Sequence, residues 1–451
     1  MLKKMHMRRS TPFVLILFLG VLAACQHTPK PPTPMHASQF PAEVATRWFE
    51  LQLKLIRETP WFSPPVASRA LGYSGVTLYE TVVGGMPEYD SLVGQLNGLA
   101  ALPRPAAGQT YHWAAAANSA MATLLRSLYP TARPRNLAAI DALEQQYAGQ
   151  YKAEAGNEVF NRSVAYGKAV AAAIFEWSKT DGGHEGYLKN FPKGFTPASG
   201  PGSWVPTPPK YQAPLHPYWG QNRPFVIASG EECAPPPPTA YSEDPGSLFH
   251  AEAIEVYAVV KNLTPEEREI ALFWADDPGT TFTPPGHSVA IATQAVEKQK
   301  ATLALAAETY AKVGMAVADA FIACWNTKYT YNLIRPITYI QSVIDPAWNK
   351  PYITDPVITP PFPEYTSGHS IQSAAAATVL TALFGDNYRF TDNSHADRRL
   401  PARTFSSFYE AAEEAAFSRL FGGIHYRPAI VWGVQQGKCI GAKINALRWK
   451  H

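Results

Sequence analysis

Alanine-rich, helix-prone stretches recur along most of this chain, and strand-like alternation of apolar and polar residues is hard to find between them. The stretch 42–58, for example, places Val44, Trp48, Leu51 and Leu55 at the spacing of one helix face. Alanine is the strongest helix former, so runs of it favour helices wherever no breaker intervenes. The sequence therefore predicts an all-α fold, with helices at 42–58, 111–128, 134–151, 158–179, 289–328, 368–384, 405–420 and 430–447.

Two helix ends are marked by residues with known capping chemistry. The tetrapeptide TPEE at 264–267 combines a threonine cap, a proline at the first helical position and a glutamate three residues after the cap. It predicts a helix that runs to about Trp274. Gly385 ends the helix predicted at 368–384, because glycine accepts the backbone conformation that commonly closes a helix.

The segment 181–245 differs from the rest because it carries most of the glycine and proline. An irregular stretch of this length is uncommon inside a globule, so it is either a linker or a covering segment. We therefore predict a two-lobed helical bundle, with an N-terminal lobe at 41–180, this connecting segment, and a C-terminal lobe at 246–451. Interleaved aromatic residues favour packing between the lobes over a free linker: Trp204, Tyr211, Tyr218 and Trp219.

The N-terminus has the layout of an export signal. Four cations precede an apolar run at 12–22 that is too short for a membrane span. The run ends in LAAC at 22–25, which resembles a bacterial lipobox, where the signal is cleaved before an acylated cysteine. A plain secretory signal with a chance cysteine is the alternative. We predict a signal peptide at 1–24, lipidation at Cys25, a proline-rich tether at 25–40, and a protein exported and lipid-anchored to a bacterial envelope membrane (periplasm or outer membrane).

Removal of the signal changes the charge of the chain. The whole sequence has 39 Lys+Arg and 36 Asp+Glu, a formal net charge of +3, and 1–24 contains four cations and no acid. The mature chain therefore has 35 basic and 36 acidic residues, a net charge of −1. No basic block remains to bind nucleic acid or anionic lipid by counterion release. No later segment is long and apolar enough to span a bilayer, so we expect membrane contact through the lipid anchor only.

Three cysteines remain beyond the signal: Cys233, Cys324 and Cys439. In an oxidising compartment this odd number permits one bridge with one thiol left over. The spacing matches no zinc pattern. We expect all three to be small buried residues, and the oligomeric state is left open.

Short clusters in the C-terminal half place cations and hydrogen-bond donors where they would surround an oxyanion. Lys328 and Arg335 are seven residues apart, about two helical turns, which would put them on one helix face. The tetrapeptide TSGH at 366–369 directly precedes a predicted helix, whose free N–H groups and positive dipole end favour an anion. Arg419 and His425 form the last cluster. The two glycines between them can break the helix and let both side chains point to one pocket.

Each cluster alone is a weak signal. A single lysine or arginine is usually a surface cation, a lone histidine is more often structural than catalytic, and Ser-Gly-His by itself is a turn. The ordered triple is more specific. It resembles the superfamily of type 2 phosphatidic acid phosphatases and vanadium-dependent haloperoxidases through KYTYNLIRP at 328–336, YTSGHS at 365–370 and SRLFGGIHYR at 418–427. FWADDPGTTFTPPGH at 273–287 is similar to the segment upstream of these motifs in soluble haloperoxidases, which implies that branch.

The resemblance implies an oxyanion-binding role for five residues. Lys328, Arg335 and Arg419 would neutralise the oxygens of a phosphate or vanadate. Ser367 and the Gly368 N–H group would complete the cradle. Positive groups around equatorial oxygens are also what phosphoryl transfer needs most.

The resemblance also assigns the two histidines. His425 would bond the central atom, either as a nucleophile on phosphorus or as the axial ligand of vanadium. His369 would be the acid–base group, protonating a leaving alcohol or handling peroxide protons. Vanadate is the implied cofactor of a haloperoxidase, which uses hydrogen peroxide and a halide, whereas a phosphatase needs no cofactor.

Two departures from the family pattern matter. The family commonly has an aspartate four residues after the second histidine, where this chain has Ala429. That aspartate would orient the imidazole, so its loss puts nucleophilic turnover in doubt. Asp276 or Asp277 from the upstream segment could compensate, with solvated surface carboxylates as the alternative. Thr366 in place of proline is the milder departure.

Two nearby titratable residues have open interpretations. His287 either lines the pocket mouth or is a capping or surface histidine. We expect Glu364, close to the Ser-Gly-His turn, to be solvated. Three functions follow in order of preference: a vanadium haloperoxidase, an exported acid phosphatase acting through a phosphohistidine, and a non-catalytic oxyanion-binding lipoprotein.

Overall fold

The computed structural model describes residues 1–2, 35–348 and 356–451. Cys25, and with it the predicted lipidation site and signal, lies outside the described residues. The described residues from Met35 onward belong to one compact unit. They contain a two-stranded antiparallel sheet, Phe390–Asp392 (β1) and Arg403–Phe405 (β2). The helices in the described ranges are Glu43–Glu58 (α1), Pro64–Val82 (α2), Trp113–Leu128 (α3), Pro134–Ser178 (α4), Leu248–Lys261 (α5), Pro265–Phe273 (α6), Thr283–Lys298 (α7), Leu303–Tyr331 (α8), Pro336–Tyr339 (α9), Gly368–Phe384 (α10), Phe408–Phe421 (α11) and Arg427–Asn445 (α12).

The all-α prediction is confirmed, with differences at particular helices. The predicted helix 289–328 is two helices, because the chain turns at Lys300 (φ 47°) and Thr302 caps α8. The predicted pair 134–151 and 158–179 corresponds to α4, whose two helical parts are separated by the non-helical Gly156 (φ 74°) as predicted. No helix was predicted at α2, since it is buried on all sides and lacks an apolar stripe.

The centre of the fold is α8, which packs most extensively against α2 and also contacts α10. The packing of α8 against α2 requires glycine, because a Cβ at Gly75 of α2 would lie 2.2 Å from the Tyr310 carbonyl oxygen. Glycine also allows α12 to pack closely against α10, where a Cβ at Gly437 would lie 2.1 Å from the Ile371 carbonyl oxygen. These close backbone approaches fix the positions of α8, α10 and α12 relative to one another.

The proline-rich segment is bound to α8 by polar contacts. The buried Asp319 carboxylate accepts hydrogen bonds from three successive backbone N–H groups, at 225–227. Trp325 Nε1 and Tyr329 Oη both donate to the Leu215 carbonyl oxygen. The predicted lobe boundaries at 180 and 246 stay predictions, since α8 contacts helices from both sides of this segment.

Cys233 and Cys439 form a disulfide that ties the proline-rich segment to α12. The expectation that all three cysteines are merely small buried residues was therefore wrong for two of them. A bridge across a sequence separation of 206 residues depends on tertiary packing, and the sequence offers no local sign of it. Cys324 is buried and free within the described ranges. No helix among the described residues has the length and hydropathy needed to cross a membrane.

Candidate active site

The predicted oxyanion-binding residues lie where three helix ends meet: the end of α8, the start of α10 and the turn between α11 and α12. These residues lie close to one another. Four of them are near enough to His425 to disfavour protonation of its ring: Arg335, Lys328, His369 and Arg419. We call this set the oxyanion site: Lys328, Arg335, Ser367, Gly368, His369, Arg419 and His425.

The predicted arrangement of Lys328 and Arg335 on one helix face was wrong. The helix α8 ends at Tyr331, the next residue Asn332 adopts a left-handed conformation (φ 45°), and Arg335 is the cap of α9. The two side chains are brought together instead over the ring of Phe362. Lys328 Nζ and Arg335 Cζ each lie 5.0 Å from its centroid.

Lys328 is fully buried, and its ammonium group donates to the carbonyl oxygens of Pro363 and Glu364, both at 2.9 Å. Burial lowers the pKa of Lys328 to about 7. A nearby anion would favour the charged form, so this lysine is suited to gain its full charge when an oxyanion arrives.

Arg335 is also fully buried. Its Nε donates to the Phe362 carbonyl oxygen at 2.8 Å, and its Nη1 donates to the Ile424 carbonyl oxygen at 2.7 Å and lies 3.3 Å from His425 Nε2. Burial lowers the pKa of Arg335 to about 10, so it remains charged at neutral pH. Its Nη2 is buried and has no hydrogen-bond partner among the described residues.

The turn at the start of α10 has the predicted form. Ser367 caps the helix, and its hydroxyl accepts a hydrogen bond from the Ser370 N–H group. A Cβ added at Gly368 would have Cys324 Sγ and Trp325 Cζ3 as its nearest neighbours among the described residues, both at 4.0 Å. A side chain as small as a methyl group therefore fits at Gly368 in ordinary van der Waals contact.

His369 follows directly in that turn. Burial and the neighbouring Arg419 hold the pKa of His369 well below its ordinary value, so its ring is neutral. A hydrogen bond with the backbone of Trp274 raises the pKa of His369, but its effect is smaller than that of burial. Its Nε2 is buried and has no hydrogen-bond partner in the described part of the chain.

The two glycines after α11 act as predicted. The helix stops at Phe421, and Gly423 has a positive φ of 67°, which reverses the chain before His425. Arg419 is buried in the last turn of α11, where its guanidinium donates to the Ser418 hydroxyl and to the Ala271 carbonyl oxygen, both at 2.9 Å. The break therefore lets Arg419 and His425 face one region, which a continuous helix would not.

Glu364 is the carboxylate that contacts His425. It is fully buried, and its Oε1 lies 2.8 Å from His425 Nδ1 and accepts a hydrogen bond from the Tyr426 N–H group. The expectation that Glu364 is solvated was wrong. With Nδ1–H donating to Glu364, the lone pair of His425 Nε2 faces Arg335. Burial raises the pKa of Glu364 to about 8, against the effect of Arg335 and Lys328.

The oxyanion site has the donors that a tetrahedral or trigonal oxyanion such as vanadate requires. Two of its buried polar atoms have no hydrogen-bond partner in the described ranges: Arg335 Nη2 and His369 Nε2. Buried polar groups in folded proteins are nearly always paired, so two unpaired groups among these cations are consistent with a site for a ligand. The residues present therefore fit a bound vanadate or phosphate.

Asp276 and Asp277, the acidic residues of the upstream segment, do not occupy the position beside His425. Asp276 is buried and its Oδ2 lies 2.8 Å from His287 Nδ1, while Asp277 is exposed and close enough to Arg419 to favour its charged form. Neither takes the place of the aspartate absent at Ala429, because Glu364 occupies that side of His425.

His287 is neither at a pocket mouth nor at the surface: it is buried between Asp276 and Asp392. Despite burial, these carboxylates raise the pKa of His287 to about 10.

The sequence analysis named Glu364 but gave it the wrong environment, and it missed other residues around the site. Glu364 stands three residues before Ser367, so its proximity to the motif was a usable signal. Phe362, whose ring lies under both cations, had no such signal, because a phenylalanine in a proline-rich stretch is usually packing. Asp392 and His395 belong to the segment after α10 and carry no motif that marks them as neighbours of His287.

Comparisons with known proteins indicate the family of this chain. The model of the VCPO second helical-bundle domain matches residues 308–450, which include the whole oxyanion site. Vanadium chloroperoxidase from Curvularia inaequalis is 23% identical over 510 residues, covering 88% of this chain and 81% of that protein. The crystal structure of a protein described as the first bacterial vanadium-dependent iodoperoxidase is 40% identical, with a TM-score of 0.81 over 91% of this chain and 97% of that one. The chain belongs to the vanadium-dependent haloperoxidase family.

A more distant member of the vanadium-dependent haloperoxidase family has the same fold. The holo-type bacterial vanadium-dependent chloroperoxidase is 14% identical and has a TM-score of 0.64, covering 86% of this chain and 92% of that one. The helical architecture of the family is therefore retained where most of the sequence has changed.

Proposed function

We propose that this protein is a vanadium-dependent haloperoxidase that holds vanadate in the oxyanion site and oxidises a halide with hydrogen peroxide. The observation that carries the proposal is the buried His425. Its Nδ1 is bonded to Glu364, and its Nε2 lies 3.3 Å from Arg335 Nη1, beside the remaining cations. An imidazole held in this tautomer is suited to bond the central atom of an oxyanion through Nε2.

The residues of the oxyanion site divide into two tasks. Lys328, Arg335 and Arg419 neutralise the oxygens, and the Ser367 hydroxyl and Gly368 N–H group complete the cradle. Bound vanadate supplies an electrophilic centre that activates hydrogen peroxide towards a halide. His369, neutral and with a free Nε2, accepts a proton from the incoming peroxide and returns it to the departing oxygen.

Glu364 removes the main objection to turnover. The absence of an aspartate at Ala429 would leave the imidazole of His425 without an orienting partner. Glu364 supplies one from another segment at 2.8 Å, within a fully buried pair. A non-catalytic binding protein has no need of such a pair, so its presence favours an enzyme over a passive lipoprotein.

Two parallel assays on purified mature protein test the proposal. We choose iodide first, because the structure with 40% identity is described as an iodoperoxidase. Iodination of a phenol-type dye should require both vanadate and hydrogen peroxide, and bromide should be tested in the same assay. If neither halide is oxidised but a phosphate ester is hydrolysed in a vanadate-inhibited reaction, the protein is an acid phosphatase. If vanadate binds and neither reaction occurs, the protein is an oxyanion-binding lipoprotein.

We further propose that the protein is exported and lipid-anchored through Cys25. The support is the arrangement of four cations, a short apolar run and LAAC at 22–25. Radioactive palmitate should label the wild-type chain and leave Cys25→Ser unlabelled. Labelling of both chains, or of neither, would refute the anchor.

A further inference from the structure

A second polar cluster is buried between the α6–α7 turn, α7 and the segment after β1. We call it the His287 cluster: Asp276, His287, Asp392 and His395. Each residue is at most 1% exposed. Four buried titratable side chains in direct contact are costly to desolvate, so the cluster requires an explanation.

The facing atoms of this cluster are only partly satisfied by hydrogen bonds. Asp276 Oδ2 lies 2.8 Å from His287 Nδ1. Asp276 Oδ1 lies 3.0 Å from His395 Nε2, yet neither atom has a hydrogen-bond partner among the described residues. Two buried polar atoms that face each other without forming a hydrogen bond are suited to bind one ion together.

Asp392 supports His287 from behind. Its Oδ2 lies 2.8 Å from His287 Nε2, while its Oδ1 accepts a hydrogen bond from the Ser394 N–H group at 2.9 Å. Without a metal ion, each ring nitrogen of His287 faces a carboxylate. Metal binding would displace the Nδ1 proton while Asp392 keeps the Nε2 proton in place, the usual support of a histidine that binds a metal. His287 Nδ1 would then face the cluster as a lone pair.

We propose that Asp276, His287 and His395 bind a divalent transition-metal ion through the Asp276 carboxylate, His287 Nδ1 and His395 Nε2. One ligand atom from each residue lies within 4.8 Å of the others. Ligands about 2.0–2.2 Å from one ion at tetrahedral angles lie about 3.4 Å apart. These groups, separated by 2.8 and 3.0 Å, would need to move apart by only about 0.5 Å to hold the ion. Two imidazoles and one carboxylate favour zinc or a similar ion over calcium or magnesium, which prefer oxygen ligands.

The position of the cluster suggests a structural task for this ion. Asp276 has a left-handed backbone (φ 51°), a conformation that must be held by its surroundings. Two residues before it, the ring of Trp274 stacks on His287 at 4.5 Å, and the Trp274 backbone bonds to His369. An ion at the His287 cluster would therefore fix the turn that positions His369, without touching the oxyanion site.

Metal analysis of vanadate-free mature protein tests the proposal. The chain, made without a polyhistidine tag, is equilibrated with Zn²⁺ or Co²⁺ and dialysed, and its metal content is measured by mass spectrometry. We expect about one ion per chain in the wild type, and visible absorption bands from the Co²⁺ form that report nitrogen and oxygen ligands. His395→Ala and Asp276→Asn should each hold less than about one tenth of that amount.

His184→Ala is the matched control, since His184 is partly exposed and lies outside the cluster; it should retain the ion. His395→Gln, which keeps more side-chain volume, covers the case in which His395→Ala does not fold. A folded wild type that takes up no Zn²⁺ or Co²⁺ would overturn the proposal, and the cluster would be an imidazolium between two carboxylates. Because vanadate is absent throughout, this result is independent of the haloperoxidase assay.

Discussion

Glu364 Oε1 lies 2.8 Å from His425 Nδ1, and both side chains are buried. The pair orients the imidazole, so that Nε2 points towards Arg335. This carboxylate enters from the loop before α10, whereas the family commonly places it on the helix after the histidine, at the position of Ala429. We propose that Glu364 supplies the same orienting function from a different segment.

Glu364→Gln should weaken vanadate binding and lower the rate of halide oxidation by about 10- to 100-fold, the usual effect of removing the partner of a metal-binding histidine. The amide is similar in size, so the loss comes from the altered hydrogen-bond partner of His425 Nδ1 and not from lost packing. Titration calorimetry with vanadate and steady-state kinetics measure the two effects. Glu255→Gln, which changes a surface carboxylate paired with Arg427, is the control and should leave both unchanged.

Vanadate affinity should fall as the pH rises through about 7 to 8. Burial lowers the pKa of Lys328 to about 7 and raises that of Glu364 to about 8, so in the empty site Lys328 loses its positive charge and Glu364 gains a negative one over this range. Both changes weaken the binding of an anion. Vanadate binding above pH 7 must therefore be accompanied by the uptake of protons by the protein.

Lys328→Met checks the assignment of this pH dependence. The variant should bind more weakly below pH 7, by about 10-fold or more, because a charge-assisted hydrogen bond to the anion is lost. Its affinity should also depend less steeply on pH, by about one proton. The titration of the anion itself is common to both proteins and cancels in the comparison. Equal slopes in the two proteins would contradict the role of Lys328.

The helices could be predicted from the sequence because alanine content, capping residues and terminal glycines act locally. The glycine break after Arg419 and the polar turn before α10 were predicted for the same reason. In contrast, α2 was missed, because its glycines serve close packing against α8 and its burial on all sides erases the amphipathic pattern.

The partners within the site could not be predicted, since they depend on which segments the fold brings together. Lys328 and Arg335 meet over Phe362 rather than along one helix. His287 meets Asp392 over a separation of 105 residues. Sequence motifs predicted the residues that we propose to face an oxyanion, while the residues that hold them in place became visible only in the fold.

Gly368→Ala should separate function from stability. Outside its chain neighbours and the backbone of its own helix, the added methyl group would meet no described atom closer than 4.0 Å, so the melting temperature should be unchanged. Vanadate affinity should fall, because the anion can no longer approach the first turn of α10. Gly433→Ala is the contrasting variant: its Cβ would lie 2.8 Å from Ser370 Cβ, which should cost about 1–3 kcal/mol of unfolding free energy. Differential scanning calorimetry and vanadate titration distinguish the two.

Loss of the Cys233–Cys439 disulfide should lower the free energy of unfolding by about 2–5 kcal/mol, because the bridge restricts a long loop in the unfolded chain. Chemical denaturation of the double variant Cys233→Ser, Cys439→Ser measures the change. A reducing agent should destabilise the wild type and leave the double variant unaffected. Sensitivity of the double variant to reductant would show that the destabilisation has another cause.

His369→Ala and His425→Ala should fail in different ways. His369 has a free Nε2 and serves proton transfer, so His369→Ala should still bind vanadate but lose about 100- to 10,000-fold in the rate of halide oxidation. His425→Ala removes the group that bonds the central atom, so it should lose both tight binding and turnover. Vanadate titration beside iodide oxidation reads the two properties separately. Equal loss of vanadate affinity in both variants would contradict the division of roles, and retained turnover in His425→Ala would show that the oxyanion site is misplaced.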